Sequence, residues 1–185
     1  MEVKFCLSCG TALETREISS VQRKACPGCN FIHWGDYSIG VGAIISRDGK
    51  FLLVRRAENP GKGLWTNPGG YIEQHEQIHD TIKREVLEES GIEAVVTNII
   101  ALRDQPRNIH NIYIAFEMEY VGGEPTPDGV EVDAAGFFSF EEMETLPVAK
   151  FTSWLIDCAR HAESKGLHRD PKPVFPFEGD DLFRA

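Results

Sequence analysis

The sequence predicts a mixed α/β domain of ordinary size preceded by a small metal-clamped unit. Three observations carry this. Two Cys-x-x-Cys pairs, Cys6/Cys9 and Cys26/Cys29, stand sixteen residues apart near the start of the chain. A glycine-rich apolar stretch at 38–46 is joined to 51–55 through Asp48-Gly49, the signature of a hairpin turn. Ile78, Ile82 and Val86 then recur every four residues, between a Pro68-Gly69-Gly70 turn and Gly91, as on one side of a helix.

The first unit covers residues 1–35. Its cysteine spacing suits four thiolates around one tetrahedral Zn²⁺. Gly10 after the first pair and Pro27-Gly28 inside the second provide tight turns that aim backbone amides at sulfur. Two reduced thiol pairs or a redox disulfide are the alternatives. Neither pair opens a helix after a strand, where a redox Cys-x-x-Cys normally sits. So small a unit cannot fold by burial alone, and the metal is expected to supply most of its stability. His33 follows, but four sulfurs already fill a shell.

The domain proper is expected over 36–165, with a tail at 166–185. Residues 38–46 and 51–55 read as strands; the second ends in Arg55-Arg56, a solvated strand end or a phosphate contact. Residues 59–70 read as a loop, with Trp65 plugging the core beneath it and Lys62 available to phosphate. Strands follow at 92–100 and 111–120, separated by a polar loop at 103–110. A further strand runs from 130 to 140. A short turn ends at Leu146-Pro147, and Phe151, Leu155, Cys158 and Ala162 mark one face of a last helix.

The helix after Gly70 is unusual. Residues 70–93 hold seven carboxylates, and Glu85, Glu88 and Glu89 are spaced i, i+3, i+4, so they share one face. Like charges at that spacing repel. The apolar stripe adjoins that face, so the cluster is expected at the seam between helix and core, where ionised carboxylates are costly without a cation. Oxygen ligands of this kind suit Mg²⁺ or Mn²⁺.

The same stretch resembles the signature of Nudix hydrolases, G-x5-E-x7-R-E-U-x-E-E-x-G-U with U a bulky aliphatic. Gly70, Glu76, Arg84, Glu85, Val86, Glu88, Glu89, Gly91 and Ile92 fill every defined position. The likeness extends over 38 to about 165, and the cysteine unit resembles the zinc ribbon ahead of this domain in NADH pyrophosphatases and in some FAD and ADP-ribose pyrophosphatases. The resemblance implies an α/β/α sandwich with a mixed sheet. It implies hydrolysis of a nucleoside diphosphate linked to another moiety. Glu85, Glu88, Glu89 and the Gly70 carbonyl would bind Mg²⁺ or Mn²⁺, joined by Glu131 ahead of the Gly136-Phe137-Phe138 strand. Arg84 would hold the glutamates, Glu76 would support it, and Glu88 or Glu89 would act as base. Arg56, Arg103, Arg107 and His110 are the candidate nucleotide contacts. After the signature, Arg103-Asp104-Gln105-Pro106-Arg107 shares only Gln-Pro with the motif of NADH pyrophosphatases. Pro106 stands about where ADP-ribose pyrophosphatases carry a proline.

The formal net charge is −10. An acidic chain is a poor binder of nucleic-acid backbone, although Arg16, Arg23 and Lys24 leave an RNA-end hydrolase as one alternative. A nucleotide-sensing adaptor without catalysis is another. No apolar run approaches the ~20 residues of a membrane span, and no signal peptide is read. The expected partner is a small nucleotide, the expected compartment the cytoplasm, and the expected assembly, from the family, a homodimer.

Overall fold

The computed structural model describes residues 3–161, 167–169 and 181–184. The chain divides into two compact units, Met1–Asp36 and Tyr37–Ala185.

In the first unit β1 (Glu14–Ile18), β2 (Val21–Ala25) and β3 (Ile32–His33) form an antiparallel sheet in that order. Cys6 and Cys26 are buried while Cys9 is exposed. His33 lies in β3 and faces Asp36 at 3.4 Å, outside the cysteine cluster.

The second unit is built on one mixed sheet. It uses β4 (Tyr37–Arg47), β5 (Lys50–Arg56), β6 (Trp65–Thr66), β7 (Gly69–Tyr71), β8 (Glu93–Gln105), β9 (His110–Gly122), β10 (Val132–Phe138), β11 (His168–Arg169) and β12 (Asp181–Arg184). The order is β10-β5-β4-β9-β8-β12-β11, with β6 on β5 and β7 on β4. Only the β4–β9 pairing is parallel among the described strands. Alternation along β4 and β5 splits the core in two. Val41, Ala43, Ile45 and Leu52 face one side and pack on Ile82 and Val86 of α1 (Ile78–Ser90). Ile44 and Leu53 face the other and meet Trp154, Leu155 and Cys158 of α3 (Lys150–Arg160). A sheet covered by a helix on each face is the sandwich expected from the resemblance. A short α2 (Phe140–Glu144) precedes α3 and starts with a capping box between Ser139 and Glu142.

Two loops expected from composition are partly strand. Within 59–70, β6 and β7 form because Val54 and Gly42 offer ladder partners that composition does not reveal. The polar segment 103–110 shrinks to 106–109, since Arg103, Asp104 and Gln105 pair with Tyr113, Ile112 and Asn111. Trp65 is buried against Phe138, edge to face at 4.7 Å, so it plugs the core. The edge of β8 is covered by β12, which removes an exposed strand edge. Ala162 and most of the tail lie outside the described residues.

Candidate active site

Helix α1 has an end poorly suited to stability alone. Its last turn holds Glu88 and Glu89 and no basic residue, so both carboxylates face the negative pole of the helix dipole. It stops at Gly91, whose φ of 67° lets its N–H bond Leu87 O at 2.9 Å.

Arg84 collects the acids. Its Nε and Nη2 donate to the two oxygens of Glu76 at 3.0 and 2.9 Å, a bidentate fork. Its Nη1 donates to Glu85 at 2.9 Å and to Glu88 at 3.0 Å. Thr81 also donates to Glu76 at 2.9 Å. The Arg84 bonds, with help from Thr81, hold the Glu76 carboxyl below the usual carboxylate range, and Glu76 in turn raises Arg84.

Glu89 is 8% exposed, and its Oε2 accepts the Gly69 N–H at 2.8 Å. Burial, reinforced by the charges of Glu85, Glu131 and Asp128, lifts its carboxyl to about 8 despite that bond. Burial also raises Glu85, with Glu88 and Glu131 adding to the effect and Arg84 opposing it. The turn reaches Glu85 too: a Cβ built on Gly70 would lie 2.4 Å from its carboxyl carbon. Two acids are pushed toward protonation by burial and mutual repulsion, and among the described residues only the Arg84 bond to Glu85 offsets this with positive charge. That is the property of a cation site, and the donor set, all carboxylate oxygen, fits a hard divalent ion.

Glu131 lies just before β10. Asp128 accepts the backbone N–H groups of Val130, Glu131 and Val132 at 2.8, 3.1 and 3.0 Å. Burial opposes its ionisation, yet the bonds from Val132, Val130 and Glu131 keep it below its ordinary value. The Glu131 carbonyl accepts the Ala57 N–H at 2.8 Å, tying the loop to the end of β5. The loop thereby brings Glu131 within electrostatic reach of Glu85 and Glu89.

Glu88 departs from the expected seam. Its side chain is 57% exposed against 15% for Glu85. The Ile82–Val86 stripe packs so that Glu85 and Glu89 turn inward and Glu88 outward, linked to Glu85 through Arg84.

Beside Glu89 and Gly70 is a cavity of about 240 Å³. Arg56 and Arg103 line it, as do Tyr113, Asn111, Phe151 and Asn67. The Arg103 guanidinium lies 4.2 Å from the Phe151 ring and donates to Asn111 at 2.9 Å. Arg56 Nε donates to Pro60 O at 2.8 Å, whereas its neighbour Arg55 turns to Asp133 at 2.6 Å. Arg107 is exposed in the β8–β9 connection, Lys62 is exposed, and His110 pairs with Asp104; none of the three lines the cavity. Asn67, Tyr113, Asn111 and Phe151 were missed at the sequence level. A lone asparagine before Pro-Gly-Gly was the one local signal.

In the first unit the sulfurs of Cys6, Cys9, Cys26 and Cys29 lie within 4.8 Å of one another. Cys6–Cys29, Cys9–Cys26 and Cys9–Cys29 are 3.6, 3.5 and 3.8 Å apart. A tetrahedron with metal–sulfur bonds of about 2.3 Å has edges of about 3.8 Å. Ser8 and Gly28 N–H groups donate to Cys6 and Cys26 at 3.4 and 3.3 Å. Thr11, aided by Cys26 and Cys6, draws Cys9 down to about 6. Cys29 rises to about 12: the Phe31 backbone bond lowers it, but Cys26 and Cys6 outweigh it. Four sulfurs spaced near the edges of such a tetrahedron are a donor set that fits one metal ion.

Fold and site together define an α/β/α-sandwich protein with a glutamate cluster built on a glycine turn beside a basic cavity. The chain belongs to the Nudix family: the NUDIX domain profile matches residues 36–156. It is 29% identical over 174 residues to the NAD-capped RNA hydrolase NudC of Stutzerimonas stutzeri, covering 94% of this chain and 60% of that protein. It is 32% identical over 112 residues to the ADP-ribose pyrophosphatase of Methanocaldococcus jannaschii, covering 59% of this chain and 66% of that one. Among solved structures, a NUDIX hydrolase from Nitrosomonas europaea superposes with a TM-score of 0.69 at 30% identity, over 76% of this chain and 80% of that one. The chain spans about 60% of the length of the NudC relatives it matches. No described helix is long and apolar enough to cross a membrane.

Proposed function

We propose that this chain hydrolyses the pyrophosphate bond of an ADP-ribosyl compound, with Mg²⁺ or Mn²⁺ held by Glu85, Glu88, Glu89, the Gly70 carbonyl and Glu131. One observation carries the reading: buried Glu89 and half-buried Glu85 meet on the Gly69-Gly70 turn, both with raised pKa values, beside a cavity lined by Arg56 and Arg103. When bound, a divalent ion supplies charge neutralisation and Lewis acidity to the pyrophosphate.

The chain's own groups supply the rest. Arg84 fixes Glu85 and Glu88, and Glu76 fixes Arg84. Gly69 N–H holds Glu89 Oε2, so Oε1 takes the proton of the attacking water. Glu89 is the better base of the two candidates, because Glu88 is exposed and bonded to a guanidinium. Arg56 meets phosphate oxygens, and Arg103 on Phe151 meets the nucleoside. The chemistry shared by the names of the two relatives, NAD and ADP-ribose, is the ADP-ribosyl pyrophosphate.

A second reading, cleavage of an NAD-type cap from RNA, is favoured by the NudC match running over 94% of the chain. The net charge of −10 opposes strong backbone binding. We assign the four cysteines a structural Zn²⁺ and the chain a cytoplasmic setting, where a clustered cysteine quartet serves metal binding more often than disulfides. A homodimer remains the family expectation, read by light scattering.

The test is turnover on ADP-ribose, NADH, NAD, FAD and NAD-capped RNA with Mg²⁺ and Mn²⁺. ADP-ribose is expected to lead. Glu89→Gln should lower kcat by about 10²–10⁴-fold with the fold intact. Undiminished turnover in Glu88→Gln and Glu89→Gln would overturn the mechanism.

A further inference from the structure

The turn Pro68-Gly69-Gly70 is steadied by a side chain that the mechanism above does not use. Asn67 immediately precedes the turn and is 7% exposed. Its N–H donates to Thr152 Oγ1 at 3.2 Å, and its Oδ1 accepts from the same hydroxyl at 2.9 Å. Its Nδ2 donates to the Pro68 carbonyl at 3.2 Å and to the Tyr113 hydroxyl at 3.0 Å. A buried primary amide is costly unless its bonds are made, and an apolar residue would fill the space without that demand. The sheet is also hollowed to admit the network. A Cβ on Gly42 would lie 1.8 Å from the Tyr113 hydroxyl and 2.4 Å from Asn67 Nδ2.

Each partner leads somewhere useful. Pro68 O also accepts the Ala43 N–H at 2.9 Å, which pins the turn to β4. The next residue, Gly69, holds Glu89. Thr152 sits in the first turn of α3, whose entry is bound to β6 by Ala149 N–H to Trp65 O at 2.9 Å and Trp65 N–H to Pro147 O at 3.0 Å. That turn also carries Phe151, which meets Tyr113 edge to face at 5.1 Å and lies under Arg103.

We propose that Asn67, locked by Thr152, is a positioning residue. It sets the glycine turn against Glu85 and Glu89 and ties that turn to the Phe151–Arg103 wall, so that cation and nucleotide are registered to each other. This rests on the proposed divalent-metal site at the turn. The network borders the cavity through Asn67, Tyr113 and Thr152 but supplies no proposed metal ligand. It acts by limiting where the Gly69 N–H and the Gly70 carbonyl can be, as outer partners of a metal site do.

Thr152→Val keeps the shape and deletes the hydroxyl. Mn²⁺ binding is read by electron paramagnetic resonance on the intact chain, alongside the Mg²⁺ dependence of turnover and the thermal midpoint. The expected result is Mn²⁺ affinity weaker by about 10–100-fold, a matching rise in the Mg²⁺ activation constant, and recovery in Thr152→Ser. Tyr113→Phe removes one acceptor only and should weaken Mn²⁺ in the same direction, which serves if Thr152→Val does not fold. A lower midpoint with Mn²⁺ affinity of the folded protein unchanged, in both variants, would overturn the proposal. Failure of the wild-type chain to bind Mn²⁺ would instead overturn the metal site on which it rests.

Discussion

Replacing Gly70 by alanine tests the close approach of the glycine turn to Glu85. The added Cβ would lie 2.4 Å from Glu85 Cδ and Oε1 and 2.6 Å from Oε2, where ordinary contact begins at 3.4 Å. The difference, 3.4 − 2.4, means the carboxylate must retreat by about 1 Å. It cannot do so alone, because Arg84 holds it at 2.9 Å and holds Glu88 at 3.0 Å. A misplacement of about 1 Å near reacting atoms costs about 10²-fold in rate, equivalent to roughly 2.7 kcal/mol of barrier. Gly70→Ala should therefore lower kcat on ADP-ribose by about 10²-fold and weaken Mn²⁺. Its thermal midpoint should stay near that of the wild type, since the clash falls on a side chain and not on the core. Steady-state kinetics at saturating Mg²⁺, with circular dichroism as control, decide it. Near-wild-type kcat in a folded Gly70→Ala protein would refute the claim that the turn and Glu85 form one tightly spaced cation site.

Two further outcomes follow from the acids and the thiols. In metal-free protein the Glu89 carboxyl stands at about 8 against an ordinary 4.5. Between those values the native state keeps a proton that the unfolded chain has lost, so stability falls as pH rises, by at most about 1.4 kcal/mol per unit. Calorimetry from pH 5 to 8 should show that fall, flattened by Glu89→Gln and by saturating Mg²⁺; a flat metal-free curve would contradict the assignment. Metal analysis of fresh, reduced protein should give one Zn²⁺ per chain, and a strong chelator should change the emission of Trp34, exposed in the cysteine unit. Less than one Zn²⁺ per chain would count against four-thiolate binding.

Local spacing made much of this protein legible. Helical geometry alone places Glu85, Glu88 and Glu89 on one side of α1, and Gly91 is the stop such a helix needs. The hairpin at Asp48-Gly49 and the strands on either side are likewise written in neighbouring residues. Legibility failed where partners are distant. Nothing near residues 65–71 says that β6 and β7 exist, because their ladder partners are in β4 and β5. The polar character of 103–110 concealed that Arg103 belongs to β8, whose pairing with β9 carries it to the cavity wall.

By itself, then, the sequence determined the long strands and helices and the acidic helix face, because each depends on contacts a few residues apart, and the cysteine quartet, because its spacing is that of a metal clamp. Tertiary structure alone decided which glutamates are buried. Glu88 and Glu89 are adjacent in sequence and differ only in which side of α1 meets the sheet. It also decided that Asn67, Tyr113 and Thr152 meet through a gap left by Gly42. These residues come from β4, β9, α3 and the approach to β7, and no local pattern links them. Packing two helices onto one twisted sheet is what brings such groups within hydrogen-bond distance, and the cavity beside Glu89 exists only once that packing is complete.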